Sequence, residues 1–279
     1  MTDEITVVKC GGGLSHAQED ICRDLARLPV GRTVLVHGGA VELDRLADRL
    51  GVPQRRLTTP SGSSSRYTDP ATLEVLLMAL VGKIKPALVA ALARHGARPV
   101  GLTGMDAGLV TAKRTAAHRA VLDGRTVVVR DDHSGRIRDV DPAVLVTLLE
   151  AGCLPVVSPP ALGADGAVNV DADRLAAAIA GALAGTRPVR LVLLTAAPGV
   201  LRDPADESSL IPQIELPDEP VTEAAVHGGM TAKLQAARAA LDAGVGTVVI
   251  ADGRVPDPVS AALDGAGTTV RFTATLGSL

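Results

Sequence analysis

Aromatic side chains are nearly missing from this chain of 279 residues, which has one tyrosine, one phenylalanine and no tryptophan. A surface that binds single-stranded nucleic acid by base stacking is thereby excluded, and the core has to be filled by Ala, Val and Leu. Basic charge is not in excess either. A formal net charge of −3 offers no electrostatic footprint for a nucleic-acid backbone. The three cysteines, Cys10, Cys22 and Cys153, have no metal-ligand spacing and cannot all pair, which points to a reducing compartment. No apolar run approaches the roughly 18 residues that cross a bilayer. The opening Met1-Thr2-Asp3-Glu4 lacks the basic start of a signal peptide. These absences lead us to expect a soluble, cytoplasmic protein with neither a membrane nor a nucleic-acid partner.

The rhythm of apolar residues is that of an α/β protein. Ile5-Thr6-Val7-Val8 reads as a buried parallel strand and runs into Lys9-Cys10-Gly11-Gly12-Gly13. Residues 15–28 carry Ile21, Leu25 and Leu28 at helical spacing. A second strand, 33–37, is followed at once by Gly38-Gly39, and then by a helix over 41–50 that stops at Gly51. This order implies a parallel sheet with right-handed crossovers, whose ligands sit at the carboxyl ends of the strands. Residues 57–67 read as loop or hairpin, and Asp69-Pro70 opens a long helix with a kink expected at Pro86. A strand at 98–102, a β-hairpin excursion over 111–140, a helix capped by Asp141-Pro142 and a strand at 154–158 complete the first half. The second half repeats the rhythm with helices at 172–183 and 231–243, strands at 189–194 and 247–251, a loop with a small excursion at 198–220, and a final helix and edge strand over 259–272. The halves divide near Pro159-Pro160, giving lobes 1–160 and 161–279.

Four constellations can carry chemistry. Two glycine turns after consecutive parallel strands set backbone N–H surfaces side by side, which suits an anion; each alone is equally a tight turn, and neither fits a Walker loop or a dinucleotide fingerprint. Arg66, near the helix start at Thr68-Asp69, suits bidentate binding of a carboxylate, or is a surface arginine. In Asn169-Val170-Asp171-Ala172-Asp173 one aspartate is a helix N-cap, or Asp173 orients cations around a transferring phosphate while Asn169 meets a substrate oxygen. In His227-Gly228-Gly229-Met230-Thr231-Ala232-Lys233 a lysine stands in the first turn of a helix, where the macrodipole disfavours it unless an anion is near. Two lysines beside glycine turns suggest phosphoryl transfer, and no Ser/His/Asp nucleophilic set stands out. A carboxylate acceptor explains that, because it is ionised at neutral pH and needs no general base.

In sequence order these elements resemble the amino acid kinase superfamily, and within it the branch of N-acetylglutamate kinase. The residues that carry the resemblance are Lys9-x-Gly11-Gly12, His37-Gly38-Gly39, Arg66-x-Thr68-Asp69, Asn169-x-x-x-Asp173, Thr195-Ala196-Ala197-Pro198-Gly199-Val200-Leu201 and Gly228-Gly229-Met230-x-x-Lys233. It implies a three-layer αβα sandwich around a mainly parallel sheet, carbamate kinase-like, with an N-terminal acceptor and dimerisation lobe and a C-terminal ATP lobe. By it, Lys9 and Lys233 stabilise the transferring group and Asp173 holds the two lysines. Gly11, Gly12, Gly38 and Gly39 line the substrate and phosphate pocket, and Arg66 and Asn169 grip the acceptor. Thr195, Ala197, Gly199, Leu201, His227 and Met230 line the ATP site, where Ala196 replaces the Asp or Asn that related chains often carry. The implied cofactors are ATP and its Mg²⁺, with no metal site in the protein itself.

Ser65-Arg66-Tyr67-Thr68-Asp69-Pro70, Gly101-Leu102-Thr103-Gly104-Met105-Asp106 and Asp132-His133-Ser134-Gly135 lean towards the subgroup whose acceptor is a glutamate or 2-aminoadipate borne on a small acidic amino-group carrier protein. That reading implies a homodimer with a basic rim around the acceptor pocket, for which Arg55, Arg56, Arg66, Arg114, Arg136 and Arg138 are candidates. An N-acetylglutamate kinase of arginine synthesis and a non-catalytic nucleotide-binding regulator are the competing readings.

Overall fold

The β-branched runs become the buried middle of one large sheet in the computed structural model, which describes residues 3–58, 64–115, 117–122, 125–216 and 229–273. In chain order the strands are β1 (Ile5–Cys10), β2 (Thr33–His37), β3 (Arg56–Thr58), β4 (Ser64–Arg66), β5 (Pro99–Gly104), β6 (Val110–Arg114), β7 (His118–Leu122), β8 (Arg125–Val129), β9 (Gly135–Val140), β10 (Leu154–Gly163), β11 (Gly166–Val168), β12 (Val189–Thr195), β13 (Gln213–Leu216), β14 (Thr247–Asp252) and β15 (Thr268–Phe272). The helices are α1 (Gln18–Arg27), α2 (Ala40–Leu50), α3 (Pro70–Leu77), α4 (Lys85–Arg94), α5 (Ala143–Glu150), α6 (Ala172–Ala184), α7 (Gly229–Asp242) and α8 (Pro258–Leu263). Among the described residues the main sheet has eleven strands, in the order β13-β15-β14-β12-β1-β2-β10-β6-β9, with β5 and β11 also paired to β10. β14, β12, β1, β2, β10 and β5 run parallel, as βαβ crossovers require.

Alternation along β1 sends Ile5 and Val7 to one face and Val8 and Cys10 to the other. The first face is covered by α5, α6 and α7 through Leu145, Leu175, Ile179 and Ala237. The second is covered by α1, α4 and α8 through Ile21, Leu25, Leu88, Leu92 and Val259. Three layers result. β10 runs unbroken through Pro159-Pro160, so one sheet crosses the point where the sequence divides. A separate sheet has, among the described residues, four strands in the order β4-β3-β7-β8. It joins the hairpin at 57–67 to part of the excursion at 111–140, while β6 and β9 stay with the main sheet.

Three sequence expectations need correcting. β15 is not an edge strand, because β13 pairs outside it and takes the edge. The sequence reading lost β13 inside a Pro- and Asp-rich stretch, although Gln213-Ile214-Glu215-Leu216 alternates as an edge strand should. The irregularity expected at Pro86 lies before it, where 78–84 form a π-helical turn and the N–H of Lys85 donates to the carbonyl of Leu80 five residues back. Finally, the helical stretch Pro70–Arg94 is long and apolar enough, by length and composition, to cross a membrane. It went unnoticed because Glu74, Lys83 and Lys85 interrupt its apolar residues. In the fold it is a core helix, packing Leu88 and Leu92 under the sheet and Leu76 and Leu80 against α2.

A buried polar contact away from the glycine turns also ties the two halves. Asp24 of α1 is wholly buried, and its carboxylate accepts the N–H of Val259 at 2.7 Å and of Ser260 at 2.9 Å, together with the Ser260 hydroxyl. It caps the start of α8 from the other half of the chain. Asp24→Ala strands these donors in the interior and is expected to cost about 2 kcal/mol, read as a lower urea midpoint at unchanged denaturant slope.

Candidate functional site

Three charged side chains converge at the carboxyl edge of the sheet. Lys9 lies on the α6 face of β1, Asp173 is in the first turn of α6, and Lys233 is in the first turns of α7. Lys9 Nζ is 2.9 Å from Asp173 Oδ1, and Lys233 Nζ is 3.1 Å and 3.0 Å from its two oxygens. All three are buried, at 6%, 7% and 9% exposure. Burial raises the carboxyl, but the two lysines outweigh it and hold Asp173 below its usual range. Burial lowers Lys9, yet the adjacent carboxylate lifts it above an ordinary lysine. Lys233 is lowered, by burial and by the like charge of Lys9. Two ammoniums on one carboxylate leave a net charge of +1 when all three are ionised.

The two aspartates before α6 divide their work. Asp171 is the N-cap, accepting the N–H of Arg174 at 2.9 Å, which leaves Asp173 to the lysines. The anion that a lysine at the start of α7 calls for is thus supplied by the protein itself.

The glycine turns meet at the same edge. Gly38 N–H donates to the Cys10 carbonyl at 3.1 Å, linking one turn to the other. A Cβ on Gly12 would lie 2.9 Å from the backbone nitrogen of Ala40, and one on Gly11 would lie 3.3 Å from Lys9 Nζ. Gly12 therefore allows backbone to pack on backbone, and Gly11 leaves the space beside the ammonium. Gly38 abuts Ala172 of α6 and Gly39 abuts Leu80 and Ile84. Cys10, on the opposite face from Lys9, is pushed up to about 11 by burial and stays a thiol.

The acceptor candidates are held by a polar bracket. Asn169 Nδ2 donates to Thr68 Oγ1 at 3.0 Å, and its backbone bonds to His133 and Gly135. Asp132, which the sequence reading gave no role, is 2% exposed and accepts the N–H groups of Thr68 and Ser134, each at 3.1 Å. The sequence marks it only as the first residue of Asp132-His133-Ser134-Gly135, and the fold adds what it holds. Arg66 Nη1 bonds to Asp44 at 2.6 Å and to Gln54 Oε1. Among the described residues no hydrogen bond is made by the Nε–Nη2 edge of its guanidinium. Of the other rim candidates, Arg114 donates to the carbonyls of Arg130 and Asp132 and so braces the bracket. Arg55, Arg56, Arg136 and Arg138 are exposed.

The ATP-site candidates lie on the far side of the lysines. Thr195 ends β12, and Ala197, Gly199 and Leu201 follow in the loop after it. That loop is pinned by Thr268, whose hydroxyl accepts Val200 N–H at 2.8 Å and donates to the Ile211 carbonyl at 2.6 Å. A Cβ on Gly199 would come within 2.6 Å of the same oxygen. Met230 is in the first turn of α7, and His227 lies outside the described residues. Among the described residues no group of three or more His, Cys, Asp or Glu is placed to hold a metal ion.

Comparison with known proteins places this geometry. The amino acid kinase family profile matches residues 4–252. A LysW-aminoadipate kinase of Deinococcus radiodurans is 43% identical over 267 residues, covering 95% of this chain and 90% of its own. An acetylglutamate kinase of Methylobacterium nodulans is 38% identical over 283 residues, covering 96% and 89%. The structure of an N-acetylglutamate synthase from Neisseria gonorrhoeae, complexed with coenzyme A and N-acetyl-glutamate, has a TM-score of 0.75 at 26% identity. That likeness covers 97% of this chain, which spans 60% of the synthase. The αβα sandwich with a mainly parallel sheet expected from the sequence is the fold observed.

Removing the carboxylate from between two buried ammoniums leaves both without a counter-charge. Asp173→Ala is expected to destabilise the fold by about 3–5 kcal/mol, measured by urea denaturation at neutral pH. A stability equal to wild type shows that the lysines are not held by this residue.

Proposed function

The chain belongs to the amino acid kinase family, and we propose that it transfers the γ-phosphoryl group of ATP to the side-chain carboxylate of a glutamate or 2-aminoadipate borne on an acidic carrier protein. The observation that carries this reading is the pair of buried ammoniums on Asp173 beside two glycine turns. The relatives that bear the name LysW-aminoadipate kinase support the choice of acceptor.

A transferring phosphoryl group needs charge neutralisation and alignment more than covalent help. Lys9 faces it from the acceptor side and Lys233 from the nucleotide side, and both are preorganised because Asp173 fixes their ammoniums before substrate arrives. Gly11, Gly12, Gly38 and Gly39 admit the phosphate oxygens to the backbone, where a side chain would stand in the way. Arg66 offers its free Nε–Nη2 edge to the acceptor's carboxylate, and Asn169, braced by Thr68, offers its second amide hydrogen. Thr195, Ala197, Gly199 and Leu201, with Met230 and His227, line the nucleotide. Mg²⁺ bound to the phosphates adds further neutralisation. The product is an acyl phosphate.

In this reading residues 1–160 form the acceptor lobe and 161–279 the ATP lobe, two copies pair through the acceptor lobes, and the enzyme works in the cytoplasm. The exposed Arg55, Arg56, Arg136 and Arg138 supply a positive rim for the acidic carrier.

Trapping the acyl phosphate with hydroxylamine tests the proposal. Hydroxamate is expected with ATP, Mg²⁺ and carrier-bound substrate, and not with free N-acetylglutamate. Robust turnover of free N-acetylglutamate instead makes the enzyme an acetylglutamate kinase, the name borne by relatives at 38% identity. Lys9→Met and Lys233→Met are each expected to lower kcat at least a hundredfold, about 3 kcal/mol of barrier. Unchanged turnover in either variant removes that lysine from the mechanism.

A further inference from the structure

The sequence singles out Asp132-His133-Ser134-Gly135, and phosphoryl transfer leaves that motif without a use. In the fold it joins the two segments that carry the acceptor candidates. Arg66 ends β4, and Thr68 follows two residues later. Asn169 follows β11 and stands two residues ahead of Asp171, the cap of α6. Thr68 and Asn169 are 101 positions apart in the chain, so nothing local sets their spacing.

The motif supplies that spacing through its own bonds. The N–H of His133 donates to the Thr68 carbonyl at 2.7 Å, and its carbonyl accepts the N–H of Asn169 at 2.8 Å. Gly135 N–H donates to the Asn169 carbonyl at 3.0 Å. A Cβ on Gly135 would collide with the Lys113 carbonyl and with Val168, so glycine alone lets the motif lie this close to β6 and β11. Asp132 Oδ1 accepts the N–H groups of Thr68 and Ser134, each at 3.1 Å, and Oδ2 accepts the Ser134 hydroxyl at 2.5 Å. Thr68 is wholly buried. Its Oγ1 accepts from Asn169 Nδ2 at 3.0 Å. The hydrogen of that hydroxyl is directed to the Arg66 carbonyl at 3.5 Å, which leaves its lone pairs to the amide.

We propose that Thr68, anchored by the Asp132 carboxylate, is a positioning residue for the acceptor site: its hydroxyl fixes the side-chain amide of Asn169 against the segment that bears Arg66. An asparagine amide that is free to turn presents either its oxygen or its nitrogen to the same point. With one hydrogen of Nδ2 given to Thr68, Oδ1 and the second hydrogen keep set directions before an acceptor arrives. That ordering is completed on folding, and binding does not have to supply it. Arg66 shares in it, being two residues from Thr68 and bonded on its other side to Asp44. The effect on acceptor binding rests on the reading that Arg66 and Asn169 grip the acceptor; the state of the amide does not.

Asn169 is the one asparagine in the chain, so nitrogen-15 asparagine labelling of the full-length protein gives a single side-chain amide pair by NMR. In wild type one hydrogen of the pair is expected to exchange with water at least about tenfold more slowly than in a free amide. Thr68→Val removes the hydroxyl at nearly constant shape. It is expected to abolish that protection and to raise the KM for the acceptor about tenfold, the effect of one lost hydrogen bond. The acceptor used is carrier-bound 2-aminoadipate, or N-acetylglutamate if wild type phosphorylates that instead. Thr68→Ser keeps the hydroxyl and is expected to restore both readouts, while Asp132→Ala is expected to show both losses. The KM for ATP is expected to stay within about twofold of wild type throughout. An unprotected wild-type amide overturns the proposal without any variant, as does protection that survives in Thr68→Val. A released amide with an unchanged acceptor KM overturns the positioning role, as does a KM for ATP that rises in parallel. Thr68→Val removes no charge, and it decides the proposal should Asp132→Ala fail to fold. Absence of phosphoryl transfer in wild type counts against the kinase reading alone, since the amide signal still shows whether Thr68 holds Asn169.

Discussion

Everything at the carboxyl edge of the sheet depends on one carboxylate holding two ammoniums away from water. Burying an ion costs several kcal/mol even after the protein relaxes around it. Lys9, Asp173 and Lys233 are tolerable together because each ammonium lies about 3 Å from a carboxylate oxygen. The contact is not neutral. One positive charge remains, fixed in a site of low dielectric where it acts over a greater distance than in water. A phosphoryl group is the kind of ligand that completes it, and the lysines need not move to meet it. The three residues come from β1, α6 and α7, so the packing of α6 on β1 and of α7 on α6 sets the spacing of the charges.

The glycines also let elements approach one another closely. Gly12 sits against the start of α2 and Gly39 against the π-helical turn. The two turns are thus packed on each other and on the helices behind them. A cradle made of backbone keeps its shape only if something rigid supports it. Here the support comes from close approaches that any side chain would prevent, and from the hydrogen bond between Gly38 and Cys10. Thr268 does the same for the loop that begins at Thr195, through two hydrogen bonds from one hydroxyl.

What was legible in the sequence follows from the range of the signals. The strand at 33–37 and its glycine pair, the Asp69-Pro70 helix start and the α6 helix are local patterns, and the structure has each of them. The link between Lys9 and Lys233 is not local. No spacing joins residues 224 positions apart, and it is their like setting beside glycine turns, then the order of motifs read as a resemblance, that brings them together. Asp24 escaped for the same reason. It is a polar residue whose partners come from a distant element, so its neighbours in the chain say nothing about its burial. β13 escaped for the opposite reason, since four alternating residues are too short a pattern to stand out from the prolines and aspartates around them.

The chemistry of His37 bears on the class of reaction. Among the described residues it adjoins the Gly38-Gly39 turn, and a reaction at a hydroxyl acceptor would need a base in such a place. His37 is unsuited to it. One nitrogen is committed to the Gly38 carbonyl and the other is enclosed on the face away from Lys9. Burial holds the ring neutral to about pH 4, which makes it a weak proton acceptor. A histidine made inert in this way shapes the turn and leaves the proton inventory of the reaction alone. An acceptor that arrives already ionised requires nothing more. Two ammoniums on one carboxylate make this edge of the sheet a place that neutralises negative charge, and in the reading proposed above that is what transfer to a carboxylate requires.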